Sequence, residues 1–155
     1  MIQRIQTVYL LIIVALTTAT LFMPLASVRM NDIFFSFDAS GLHTTTTPSE
    51  LVYPTWALMA LTIVIALIAF ITIFLYNNRM LQIRLCVFNA ILLLGFYGLF
   101  TFFLLKIVDL SYSIQAGNVR IALSFPLISI ILDYLAIRGI GADEVLVRSL
   151  SRLRK

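Results

Sequence analysis

Residues 125–155 read FPLISIILDYLAIRGIGADEVLVRSLSRLRK. The stretch begins as an apolar run with a single carboxylate, Asp133, and changes character at Arg138. Beyond that point lie five of the eleven basic residues of the chain: Arg138, Arg148, Arg152, Arg154 and Lys155. An apolar span that runs into a basic tail marks where a chain leaves a membrane, and on which side. Gly139 and Gly141 predict a break, with a new helix starting near Asp143. Asp143 and Glu144 suit its N-terminus, and Arg152, Arg154 and Lys155 its C-terminus. Leu146, Leu150 and Leu153 share one face, so 138–155 reads as a cytoplasmic amphipathic tail helix. Three readings stay open for Arg148, Arg152, Arg154 and Lys155: a solvated tail, adsorption to anionic lipid headgroups, or docking to a protein partner.

Working back from this stretch, composition excludes a soluble domain. Apolar residues make up 61% of the 155, charged residues 12%, and mean hydropathy is +1.05; soluble domains carry about 25% charged residues. Three more apolar runs precede the first, placing spans at about 7–26, 56–76, 85–105 and 121–137. Each approaches the roughly 20 residues that cross a bilayer core. Each must be helical, because lipid offers backbone groups no partner. The first run also resembles a secretory signal peptide, but Leu25-Ala26-Ser27 is a poor cleavage site, and three further spans favour a retained helix. The fold class expected is an all-α membrane protein, a four-helix bundle forming one domain over residues 1–155.

The longest polar interval, 27–54, is an expected outer loop. VRMNDIFFSF is rich in strand formers, Asp38 to Gly41 suits a turn, and Leu42 to Thr47 reads as a returning strand. A short hairpin follows from this. Phe34, Phe35 and Phe37 need an apolar home, in the bundle or on a partner. Asn77 to Arg84 reads as a tight connection, and 106–120 as a second polar loop. With the first residues inside, cytoplasmic segments hold Arg4, Arg79, Arg84, Arg138 and the four tail cations, while outer segments hold only Arg29, Lys106 and Arg120. That split predicts both termini in the cytoplasm, and an inner-membrane location if the cell is bacterial.

The opening MIQRIQTVYLL and the closing LAIRGIGADEVLVRSLSRLRK resemble the two ends of a family of small four-span bacterial membrane proteins, chiefly of Bacteroidetes, that carries only the label domain of unknown function 4293. The tail pattern, an acidic pair followed by L-V-R-S and R-L-R, is the specific part. The resemblance implies an inner-membrane protein and brings no activity with it.

Asp133 is the most pointed residue, since an ionisable group within a span is a functional hypothesis by default. Placed about one turn from the cytoplasmic end of its span, it has Arg79, Arg84 or Arg138 as expected ion-pair partners; the competing reading is a functional carboxylate. Asn89 and Thr101 are candidates for bonds between helices. Cys86 is a buried filler or an acylation site. No nucleotide, metal or hydrolase motif is present, so no cofactor, no enzyme activity and no nucleic-acid binding are expected. Two functions remain. One is a structural or accessory subunit that meets a larger membrane or envelope complex or its own copies. The other is a small oligomeric transporter or channel subunit with Asp133 at its inner mouth.

Overall fold

The computed structural model describes residues 2–30, 33–45, 50–76, 78–110 and 114–153. In chain order the elements are α1 (Ile2–Phe22), β1 (Ala26–Met30), β2 (Ile33–Phe37), β3 (Gly41–Thr44), β4 (Leu51–Pro54), α2 (Trp56–Phe74), α3 (Arg79–Leu110), β5 (Ile114–Val119) and α4 (Ser124–Leu153), the last entered through a 3-10 turn at Ile121–Leu123. All four long helices are apolar and long enough to cross a membrane.

Local chemistry sets the helix ends. Pro24 disfavours helical backbone at the residue before it, and α1 stops at Phe22. Asn78 opens α3 through its carbonyl, which accepts from the Gln82 amide at 3.0 Å. The connection between α2 and α3 is therefore shorter than the expected 77–84, and helix resumes at Arg79. Pro126 sits in the first turn of α4, where its missing N–H costs no hydrogen bond. The expected break at Gly139 and Gly141 does not occur: α4 runs on to Leu153, so the tail is the end of the fourth helix. Two interior glycines cost about 1 kcal/mol each against alanine, too little to stop a helix packed along its length. At Gly139 a Cβ would stand 3.4 Å from Gln6 Cγ. That is ordinary van der Waals contact with a side chain of α1.

Each helix packs against two others, in the cyclic order α1-α2-α3-α4. Buried positions recur at alternating steps of four and three: 6, 10, 13, 17, 20 on α1; 58, 62, 65, 69, 72 on α2; 82, 86, 89, 93, 96, 100 on α3; 122, 126, 129, 133, 136, 140 through the 3-10 turn and α4. This 3.5-residue repeat is the signature of antiparallel bundle packing. The outside is apolar, with Leu67, Phe70, Phe88, Leu94, Phe102, Ile131 and many others exposed.

One end of the bundle carries a five-stranded antiparallel sheet in the order β4-β3-β2-β1-β5. This corrects the expected hairpin in two ways. VRMNDIFFSF is two strands, with β1 and β2 paired from Ala26↔Phe37 to Met30↔Ile33, since the polar Asn31-Asp32 interrupts the run. The second polar loop supplies β5, which pairs with β1 on its other edge. The turn at Asp38 to Gly41 forms as expected, with the Asp38 amide 2.9 Å from the Gly41 carbonyl. The sheet closes over the bundle through Leu25, Phe37 and Leu42, packed with Leu58, Phe96 and Phe100. A second buried cluster, Leu10, Ile13, Ala69, Cys86, Ala136 and Ile140, fills the half of the bundle toward the tail.

Candidate functional site

The bundle interior is more polar than the spans suggest. Gln6, Thr17, Thr20, Thr62, Thr72, Gln82, Asn89, Ser129 and Asp133 are all buried, and all fall on the repeat described above. Most need nothing from another helix. The hydroxyls of Thr17, Thr20, Thr62, Thr72 and Ser129 each donate to the carbonyl four residues earlier, at 2.7–3.0 Å. Gln82 Nε2 donates to the freed end of α2 at the Thr72 carbonyl, 3.4 Å away. Gln6 reaches Asp143 at the tail end, also at 3.4 Å.

One pair stands apart. Asn89 on α3 and Asp133 on α4 are 1% and 0% exposed, and Asn89 Nδ2 donates to Asp133 Oδ2 at 3.0 Å. The amide oxygen Asn89 Oδ1 and the second carboxyl oxygen Asp133 Oδ1 are buried without a hydrogen-bond partner. Buried polar atoms are almost always paired, so two orphaned acceptors on bonded side chains mark a site. Stepping along the repeat from this bond sets Cys86 opposite Ala136, Leu93 opposite Ser129 and Phe96 opposite Pro126. The site thus lies between a phenylalanine-filled half toward the sheet and a half of mixed aliphatic and small residues toward the tail.

The expected arginine partners do not reach it. Among the described residues Asp133 bonds to Asn89 and to no arginine. Arg84 and Arg138 are exposed, and Arg79 is half-buried with its Nη1 lacking a partner. The reason is depth. Because α4 does not end at 137, its apolar span runs Ile121–Asp143, and Asp133 sits near the middle of it, not a turn from the end. Asn89, expected as a bond between helices, is the partner; Thr101 turns back on its own helix, to the Tyr97 carbonyl at 2.8 Å.

The aromatic cluster of the first loop divides. Phe37 is fully buried, edge-on to Phe100 with ring centroids 5.4 Å apart. Phe35 packs partly against the same core. Phe34 is 56% exposed, beneath the Arg29 guanidinium at 5.5 Å. Of the three, Phe34 is the most exposed. Arg154 and Lys155 lie outside the described residues; Arg148 and Arg152 are helical, and their side chains lie outside the description. No group of three or more metal-ligating side chains occurs among the described residues. Cys86 is buried.

An antiparallel four-helix bundle with an apolar exterior, a partly polar interior and a sheet across one end has the build of a multi-span membrane protein. Within that class, the chain belongs to the family described as domain of unknown function (DUF4293), whose model matches residues 2–153. No curated protein matches it.

Proposed function

We propose that the chain is a multi-pass inner-membrane protein that acts as a non-catalytic accessory subunit. Its four helices cross the bilayer, both termini lie in the cytoplasm, and the sheet stands on the outer face. The observation that carries the membrane reading is inverted polarity. The helix faces that would meet solvent in a soluble bundle are apolar, while nine polar side chains turn inward. Exposed patches of this extent call for lipid or protein to cover them. Trp56 at the start of α2 and Tyr76 just beyond its end, 74% and 63% exposed, suit the two membrane interfaces. Lysine and arginine placement supports a tail end inside.

The accessory role draws on the sheet. Ile33, Phe34, Leu51 and Val52 are exposed apolar side chains on β2 and β4; Phe34, on the face opposite buried Phe37, is the one offered to a partner in the envelope. A second reading, a subunit of a small transporter or channel, is favoured by the buried Asn89–Asp133 pair.

Two measurements test the proposal. In a Cys86→Ser background, a cysteine at exposed Ser40 labels with an impermeant reagent on intact spheroplasts, and one at exposed Ser149 only after lysis. The reverse pattern overturns the threading. Purification in mild detergent with an internal tag then yields discrete stoichiometric partners, which Phe34→Ser depletes. Solitary behaviour would sink the accessory role.

A further inference from the structure

Asn89 and Asp133 form one leg of a two-legged pair. A carboxamide and a carboxylic acid can face each other through two hydrogen bonds, N–H to carbonyl oxygen and O–H to carbonyl oxygen. The first leg is present at 3.0 Å. The atoms that would form the second, Asn89 Oδ1 and Asp133 Oδ1, are both buried without a hydrogen-bond partner. Both are acceptors, so neither can satisfy the other, and one proton between them satisfies both. We propose that Asp133 is a proton-binding site, held as a neutral acid that is closed onto Asn89 by one exchangeable proton.

Other ways of supplying the missing donor fit less well. Hard cations such as Ca²⁺ and Mg²⁺ take six or more oxygens, and the described interior offers these two unpartnered ones. An ion pair would need an arginine: Arg84 and Arg138 are exposed, and Arg79, half-buried at the first residue of α3 and ten residues from Asn89, makes no bond to Asp133. The titratable groups that face the site are few. α3 presents the Cys86 thiol one turn away, and α1 presents Tyr9 in the same cluster. α2 carries no titratable residue along its length. On α4 itself Asp143 is ten residues further on, bonded by Gln6. No cation faces Asp133 among them. Toward the tail end the packing mixes the small side chains Ala69, Cys86 and Ala136 with Leu10, Ile13 and Ile140; Phe37, Phe96 and Phe100 fill the other half. The pair behaves this way whichever partner the chain docks to.

Infrared spectroscopy on the purified full chain in lipid nanodiscs tests this. At about pH 6 the solvent-exposed carboxyls, with ordinary values near 4, are ionised, so a protonated-carboxyl C=O band isolates a buried acid. The wild type shows that band, D₂O shifts it, Asp133→Asn removes it, and Asn89→Leu moves its frequency. Absence of the band, or a band that D₂O does not shift, overturns the proposal. Thermal melting gives the second arm. Asp133→Asn can keep both legs as an amide–amide pair, so its Tm stays within about 2 °C of wild type, whereas Asp133→Leu strands the Asn89 amide and lowers Tm by about 4 °C or more. An Asp133→Asn chain as destabilised as Asp133→Leu would show that the carboxyl is needed in ionised form.

Discussion

Phe37 and Phe34 sit three residues apart on one strand and do opposite things. Phe37 is sealed between sheet and helices against Phe100, and Phe34 faces out. Phe37→Ala removes a large buried ring and costs about 3–5 kcal/mol, read as a marked drop in melting temperature in detergent. Phe34→Ala stays within about 0.5 kcal/mol and shows its effect only on partner binding. Equal losses from the two would mean that the strand register is wrong. That three phenylalanines need burial is plain from their chemistry; which one points inward depends on strand pairing, and 33–37 gives two orders of alternation until its partner is known. Asn89 and Asp133 were visible in the same partial way. Each stands out as a polar residue in an apolar run, but they are 44 residues apart. Only the antiparallel packing of α3 on α4 puts them together.

Among the elements, the helices were the legible part, because unbroken apolar runs in lipid have one solution. Their lengths were harder. The third and fourth helices run well beyond their apolar cores, and glycine was a misleading stop signal in α4. The polar interior was hidden for a simpler reason. Threonine hydroxyls that bond to their own helix barely disturb the hydropathy of a span. The continuity of α4 makes a sharp forecast. If residues 139–141 are helix interior, Gly141→Ala gains up to about 1 kcal/mol in helix propensity, with open space around its Cβ. Gly139→Ala gains less, as its Cβ meets Gln6 at 3.4 Å. Melting temperatures of the two variants check this, and a clear loss at Gly141 would point to a real break there.

At the scale of the whole molecule, the sheet binds two loops that are distant in the chain. Ser27 and Asn118 are register partners in β1 and β5, and facing Cα atoms in antiparallel strands lie about 4.5–5.5 Å apart, inside the usual range for a disulfide. Cysteines at Ser27 and Asn118, in a Cys86→Ser background, therefore cross-link within one chain under mild oxidation. A control pair at Ser27 and Ser40 does not. Failure of the first pair to link would detach the second loop from the sheet.

The same pairing imposes an order on biogenesis. More than 80 residues, including two complete hydrophobic segments, separate the end of β1 from the start of β5. At a synthesis rate of about 5–20 residues per second, the nascent chain therefore waits roughly 4–17 s with one side of β1 unmatched. Until then its amides and carbonyls are open to any extended chain nearby. The closing strand arrives only after the third segment has been threaded, so completion of the sheet reports that threading succeeded.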